Sequence, residues 1–200
     1  MTHLPLLPWR RLFHLGAGTV LAGTTLLPWA WTVGLLGGLS ALAVATELLR
    51  LRNPRLGRIL SRWLRPLLKP SETQRVTGAS MLAWGSLGAV LLFGPQAARL
   101  GILVQAWGDP LAGVVGTLWG RHPLPRGKTL EGSLAYLLGA GVALATLTVL
   151  GWGVPWWVGL IAAGVATLGE ALSPPPDDNL WGPLVGAGVV WALGIVAGLP

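Results

Sequence analysis

Seven apolar runs, each 17 to 23 residues long and parted by short polar segments, leave this chain few folds to choose from. They fall at about 12–28, 29–49, 77–94, 96–118, 132–151, 154–172 and 182–199. A helix rising about 1.5 Å per residue crosses a bilayer core in roughly 17 to 25 residues. Backbone polar groups find no water in that core, so only helices or closed barrels span it. Runs of this length predict helices. The sequence is therefore read as an all-α, polytopic transmembrane helix bundle of about seven spans, one integral membrane domain over 1–200. Hydrophobic residues make up 52% and charged residues 10%, with a mean hydropathy of +0.64. Cysteine is absent, which excludes a disulfide framework and a thiolate metal site. The first run after Arg10 and Arg11 is followed at once by a second, unlike a cleavable signal peptide.

Direction comes from the basic residues. Cytoplasmic loops of membrane proteins carry an excess of Lys and Arg. With the N-terminus inside, Arg10 and Arg11 precede the first span. The loop after the second span holds Arg50, Arg52, Arg55, Arg58, Arg62, Arg65, Lys69 and Arg75. The loop after the fourth holds Arg121, Arg126 and Lys128. Of the 14 basic residues, 13 then lie inside and Arg99 alone lies outside. This predicts an N-in, C-out topology. The net charge of +7 in so apolar a chain suits anionic lipid headgroups or an anionic ligand, and no nucleic acid is expected. Residues 55–69 alternate faces at helical spacing. Leu56, Ile59, Leu60, Trp63, Leu64 and Leu67 share one face, and Arg55, Arg58, Arg62, Arg65 and Lys69 another. That predicts a basic amphipathic helix at the membrane interface. Tryptophans mark two tight turns at an aromatic belt, Trp29 and Trp31 after Pro28, and Trp152 with Trp156 and Trp157.

An acid within or beside a membrane span is costly and calls for a reason. The seven are Glu47, Glu72, Asp109, Glu131, Glu170, Asp177 and Asp178, and this topology puts all of them on the cytoplasmic side. Asp109 stands inside an apolar run, in Gly108-Asp109-Pro110. Asp before Pro is a strong helix start, so the fourth span is expected to break at Gly108 and a new helix to begin near Pro110. Irregular backbone at that depth needs protein or a water-filled cavity around it. Asp109 is accordingly expected to face such a cavity, on a divalent metal or as a proton acceptor. Ala112, Gly116 and Gly120 follow on one face, where small residues admit a second backbone or a ligand.

Two further polar segments add donors and acceptors. In Gly127-Lys128-Thr129-Leu130-Glu131-Gly132-Ser133, Thr129 reads as an N-cap and Glu131 as a first-turn acid. Lys128 is a compact cation suited to phosphate, and Glu131 is an oxygen ligand suited to Mg²⁺. Gly132 and Ser133 add backbone N–H groups and a hydroxyl at a helix N-terminus, where anions bind. In Ser173-Pro174-Pro175-Pro176-Asp177-Asp178-Asn179, Asp178 or Asn179 is positioned to cap the last helix, and the paired acids suit metal or nucleotide contact. His14, Glu72, Arg75, Glu170 and Asn179 are secondary candidates. Glu47 and Glu72 also suit pairing with nearby arginines, and Glu72-Thr73-Gln74-Arg75 suits a capped helix start.

The order Asp109-x-x-Ala112-x-x-x-Gly116-x-x-x-Gly120, then Lys128-Thr129-x-Glu131-Gly132-Ser133, then Asp178-Asn179 before an apolar run, resembles the dolichol kinase and phytol kinase family. These are polytopic enzymes related to CDP-diacylglycerol synthases. Nine positions match in order between 109 and 133. Arg10 to His14 and Glu72 to Gly78 also look like that family. The resemblance implies transfer of the γ-phosphoryl group of CTP to a lipid alcohol of phytol or polyprenol type, with Mg²⁺. It implies Asp109, Lys128, Thr129, Glu131, Gly132 and Asp178 in the nucleotide and metal site, with catalysis by Asp109, Lys128 and Glu131. A bacterial inner membrane with the site on its cytoplasmic side is the location expected.

Two rival readings are weaker. A CDP-lipid synthase would carry a Pro-Gly-His-Gly-Gly segment and Asp-Arg-x-Asp, yet no His-Gly-Gly occurs and Asn179 follows Asp177-Asp178. A transporter uses broken helices but needs access from both faces, and the outer half of this chain is almost without charge. A reporter fused after Pro200 is expected to read as non-cytoplasmic, and a cytoplasmic signal would overturn the topology.

Overall fold

The computed structural model describes residues 7–64, 67–68, 70–152, 154–172 and 175–196. Its elements are α1 (Leu7–Thr24), α2 (Trp29–Arg52), α3 (Pro54–Leu64), α4 (Gly78–Trp119), α5 (Leu130–Val149), α6 (Trp156–Leu172) and α7 (Asp178–Val196). Short 3-10 turns occur at Pro70–Gln74 and Pro125–Gly127. Among the described residues the regular structure is helical, and each apolar run falls on a helix. Trp29–Arg52, Gly78–Trp119 and Leu130–Val149 are long and apolar enough to cross a membrane, and Trp156–Leu172 is a shorter apolar helix.

The 42 residues of α4 would reach about 63 Å if straight, roughly twice the ~30 Å core of a bilayer. They do not run straight. Gly94 has φ 81°, a region open to glycine, and Pro95 follows with the fixed φ that suits a first helical turn. The packing of α7 shows that the chain reverses there. Before the turn, Gly85 abuts Leu180, Gly88 abuts Leu184 and Phe93 abuts Gly188, so this limb runs parallel to α7. Beyond it, Gly101 abuts Pro183 and Ala187, and Gln105 abuts Gly182, so the second limb runs the other way. The third and fourth apolar runs are these two limbs, and α7 packs against both.

The expected break at Gly108 does not occur. The helix continues through Gly108, Asp109 and Pro110. Gly108 serves packing instead: a methyl group there would lie 2.8 Å from the Tyr136 ring. A proline inside a helix loses a backbone hydrogen bond, but this limb is held on both sides. A methyl at Gly101 would lie 2.4 Å from the Pro183 carbonyl oxygen, and one at Gly139 2.6 Å from that of Trp107. Such glycine contacts let backbones approach where the hydrophobic effect between helices is weak.

Charge is gathered at one end. Buried Arg50 donates to Glu47 (3.0 and 2.5 Å), to the carbonyls of Glu72 (2.7 Å) and Thr73 (3.1 Å), and to that of Arg75. Glu47 also accepts from the Thr77 N–H (2.9 Å) and the Ser80 hydroxyl (2.8 Å). Glu72 accepts from Arg10 (3.3 Å) and the Gly78 N–H (3.0 Å). These acids pair with arginines as the sequence suggested, and Thr77, not Glu72, caps α4 by accepting from the Ser80 N–H. Arg99 lies far from this cluster, where Thr25 accepts from it (3.0 Å) and Trp152 lies 5.8 Å from its guanidinium carbon.

The amphipathic helix exists but is shorter than expected. Asn53 starts it, accepting from the N–H groups of Arg55 (3.0 Å) and Leu56 (3.1 Å), and it ends at Leu64. Arg65 and Lys69 lie outside the described residues. No residue of α3 is buried, and Trp63 is 81% exposed. Gly101→Val forces a side chain between the second limb of α4 and α7. Overpacking of this kind costs about 1–3 kcal/mol. The variant is expected to unfold at a lower temperature in detergent, and an unchanged midpoint would mean that the two helices do not touch there.

Candidate active site

The loop from Gly120 to Thr129 is built to project Lys128. Its two sides are joined by the Leu124 N–H to the Lys128 carbonyl (2.8 Å) and the Leu130 N–H to the His122 carbonyl (2.9 Å). The turn between them places Arg126 at φ 60° and Gly127 at φ 75°. A left-handed conformation is easy for glycine and costs a residue such as Arg126 about 1–3 kcal/mol. Glu131 helps to hold the loop in place. It accepts from the N–H groups of Arg121 (3.1 Å) and His122 (3.3 Å) and pairs with the His122 ring (2.7 Å).

Thr129 caps α5 as the sequence predicted, its hydroxyl accepting from the Gly132 N–H at 3.1 Å. The small residues at the end of α4 receive this cap. A methyl at Gly116 would lie 2.9 Å from the Thr129 hydroxyl oxygen, and one at Gly120 2.6 Å from the Thr129 methyl. Gly132 likewise faces the Ala112 carbonyl, 3.1 Å from where its own methyl would stand. The stripe Ala112, Gly116, Gly120 is thus a seat for the Thr129 turn, and it holds the loop against α4.

Lys128 reaches from that loop to two other helices. Its Nζ donates to Glu170 at the end of α6 (2.5 Å) and to Asp178 in the first turn of α7 (2.8 Å). The Glu170 side chain is only 3% exposed. Burial alone would lower the pKa of the Lys128 ammonium. The two carboxylates, by charge and by hydrogen bonding, outweigh that and raise it above its ordinary value. Lys128 therefore keeps its charge throughout the physiological range.

A cavity of about 500 Å³ opens here. Arg10, Arg11 and Lys128 supply cations to its wall, and Asp109, Glu170 and Asp178 supply carboxylates. Arg11 donates to the Gly113 carbonyl (2.5 Å) and the Thr117 hydroxyl (3.2 Å), which fixes α1 against α4. His14 stands with its Nε2 3.9 Å from Asp109. A buried polar chain supports the floor. Tyr136 donates to Gln105 (2.8 Å), Gln105 lies 3.5 Å from Asn179, and Asn179 donates to Asp177 (2.6 Å). Asp177 also accepts from the Asn179 N–H (2.9 Å), so Asp177, and neither of its two successors, caps α7.

Of the residues singled out in the sequence, Asp109, Ala112, Gly116, Lys128, Thr129, Gly132, Asp178, His14 and Glu170 line this cavity. Glu131, Gly120, Ser133, Glu72, Arg75 and Asn179 do not. Glu131 is turned to the Arg121–His122 backbone, Ser133 lies behind Glu170 (3.4 Å), and Asn179 belongs to the buried chain. Arg10 and Arg11, which carried the topology argument and part of the family resemblance, also line the cavity. Gln105 and Tyr136 gave no signal, because a single amide and a single phenol in apolar runs resemble packing residues. Among the described residues no three His, Asp or Glu side chains converge into a metal cage. Mg²⁺ usually takes only one or two carboxylates together with phosphates and water, and Asp109, Glu170 and Asp178 are the donors present.

The chain is 30% identical over 195 residues to a phytol kinase from Synechocystis sp., covering 92% of this chain and 78% of that protein. The chain belongs to the phytol and polyprenol kinase family of CTP-dependent enzymes. It is also 26% identical over 169 residues to CTP-dependent diacylglycerol kinase 1 of Schizosaccharomyces pombe, covering 76% of each. No protein-family model matches the chain, and no solved structure matches it. Mutation can separate the structural contacts of Lys128 from a contact with nucleotide. Lys128→Ala leaves Glu170 buried beside Asp178 without its cation, so both thermal stability and nucleotide affinity are expected to fall. Adding Glu170→Gln removes the stranded charge and is expected to restore the melting midpoint while leaving the KM for CTP raised about tenfold, a loss of ~1.4 kcal/mol. A KM for CTP equal to wild type in both variants would remove Lys128 from nucleotide binding.

Proposed function

We propose that the chain is a membrane-embedded kinase that moves the γ-phosphoryl group of CTP onto a lipid alcohol at the cytoplasmic face, in an N-in, C-out bundle of about seven spans. The observation that carries this reading is the cavity where Arg10, Arg11 and Lys128 face Asp109, Glu170 and Asp178. Phosphoryl transfer asks little covalent chemistry of the protein. It needs cations around a triphosphate and a hydroxyl held in line with the γ-phosphorus. The cavity offers both signs of charge in one place, at the end of the bundle that carries most of the arginines. The phytol kinase relative acts on a lipid alcohol by name, and the diacylglycerol kinase relative is CTP-dependent by name.

In this reading Lys128 and Arg11 bind the triphosphate, and the Thr129–Gly132 helix start gives it a favourable dipole. A divalent ion would be held by Asp178 and Glu170 together with phosphate oxygens, and when bound it neutralises charge on the β- and γ-phosphates. Lys128 already lies between those two carboxylates, which marks them as a pair that accepts a cation. Asp109 lines the same cavity from α4, and it takes the proton of the acceptor hydroxyl. The alcohol oxygen bonds to the γ-phosphorus, the bond from that phosphorus to the bridging oxygen breaks, and CDP leaves. Glu131 acts at one remove, by holding the strained turn that presents Lys128. The exposed Trp63 and the basic face of α3 rest on anionic headgroups of the same leaflet.

Purified protein with Mg²⁺, a panel of lipid alcohols and phosphatidic acid, and CTP labelled separately at the γ- and α-phosphates tests this reading. Label is expected to pass from the γ-position to an alcohol, and Asp109→Asn is expected to lower turnover by about 10²–10⁴-fold. Transfer of the α-label to phosphatidic acid would make the enzyme a CDP-lipid synthase, and wild-type turnover in Asp109→Asn would remove Asp109 from the reaction.

A further inference from the structure

Three cations line the charged cavity, and their other contacts differ. Lys128 donates to Glu170 and Asp178, and Arg11 donates to the Gly113 carbonyl and the Thr117 hydroxyl. Arg10 makes one hydrogen bond among the described residues, from its Nη2 to the Glu72 Oε1 at 3.3 Å. A guanidinium carries five N–H donors in a planar fork. The Arg10 side chain is 24% exposed and that of Glu72 7%, so the acid is enclosed while the cation still faces the cavity.

We propose that Glu72, which does not line the cavity, is a positioning residue that aims the Arg10 guanidinium so that its remaining donors meet a phosphate of the nucleotide. The proposal rests on the kinase reading above and adds two residues to the nucleotide site of that reading.

The surroundings of Glu72 fix where its carboxylate stands. Its Oε1 also accepts from the Gly78 N–H at 3.0 Å. Gly78 is the first residue of α4, where backbone N–H groups lack helical partners and the helix dipole favours a carboxylate. The turn that carries Glu72 is gripped by Arg50, whose side chain is 1% exposed. Arg50 donates to the carbonyls of Glu72 (2.7 Å) and Thr73 (3.1 Å) and to that of Arg75. Two donations to Glu47 hold Arg50 itself in place. A cation bonded to so fixed an oxygen inherits a direction. An arginine aimed beforehand gives up less rotamer freedom when an anion binds. Gly78 makes room for the contact. A methyl there would lie 3.2 Å from the Glu72 Oε1, 3.3 Å from the Arg10 Nη2 and 2.6 Å from the Asn179 Nδ2. Without one, α1, the Pro70–Gln74 turn and the start of α7 meet at one point. The aim of Arg10 is thus set beside the helix start that carries Asp178. A pair that served only to join α1 to the turn would not need its cation to face the cavity.

The test measures equilibrium binding of labelled CTP with Mg²⁺ to the purified full chain in detergent, well below its melting midpoint, so it needs no acceptor. Arg10→Gln and Glu72→Gln are each expected to raise the Kd about tenfold. The double variant is expected to bind no more than about twofold worse than the weaker single, because both changes remove one contact. Losses that multiply in the double variant would show independent roles and overturn the proposal, as would a wild-type Kd in Glu72→Gln. Gly101→Val loosens α4 against α7 away from the cavity and controls for lost packing. Its Kd is expected to stay within about twofold of wild type, and a rise equal to that of Glu72→Gln would trace the effect to loosening and sink the proposal. Should Glu72→Gln fail to fold, Glu72→Asp decides, since it keeps the charge and draws it back by one methylene. It is expected to raise the Kd about threefold, and a wild-type value would overturn the assignment. Coupled losses of CTP affinity in a protein that phosphorylates no alcohol would uphold the positioning role and defeat the kinase reading. Alcohol phosphorylation with a CTP affinity untouched by Glu72→Gln would do the reverse, so the two failures are distinguishable.

Discussion

A cation at the edge of a membrane protein needs partners, and Lys128 has two, on two helices. Its ammonium joins the loop after α4 to Glu170 on α6 and Asp178 on α7. Removing one charge from such a cluster is costly, because the others stay behind in surroundings that solvate them poorly. The same constraint shapes the rest of this end of the molecule. Arg50 satisfies Glu47 and three carbonyls, Arg10 satisfies Glu72, and Glu131 satisfies the backbone of Arg121 and His122. Structural charges are neutralised pairwise around the rim, while the cavity keeps three acids and three bases within reach of one space.

Much of the architecture was legible from apolar run length. A 17- to 23-residue apolar run has few alternatives to a helix, and each run became one. Capping chemistry was equally readable where one residue type dominates, as at Thr129. The break in the fourth run was misread, because Asp-Pro is a helix start only if packing lets the helix end. Gly108 looked like the opening of a turn and is a recess for Tyr136. The reversal falls at Gly94-Pro95, at the boundary between the third and fourth runs, where a positive φ is needed and glycine supplies it.

Of the charged residues that the sequence offered on the loop before α5 and in its first turn, Lys128 lines the cavity and Glu131 does not. A first-turn Glu and a nearby Lys look equivalent as charged residues on a short loop. Their directions differ, since Glu131 folds back onto the loop backbone while Lys128 extends across to α6 and α7. Glu170 was the least conspicuous of these residues, a single acid at the end of an apolar helix. Its position beside Lys128 depends on how α6 meets α7, and spacing in the chain carries no trace of that. Arg10 and Arg11 in α1 served the topology argument so well that the contact of Arg11 with the end of α4 went unread.

The packing of α7 against both limbs of α4 also orders the assembly of the enzyme. In a chain made from its N-terminus, the hairpin of α4 enters the membrane well before α7, leaving an open groove lined by Gly85, Gly88, Gly101 and Gln105. Asp178 arrives on the helix that fills the groove. Until then Lys128 lacks one of its two anchors, and the charged cavity lacks a wall. Completion of the fold and completion of the site are thus one event, and a chain stalled before α7 holds neither.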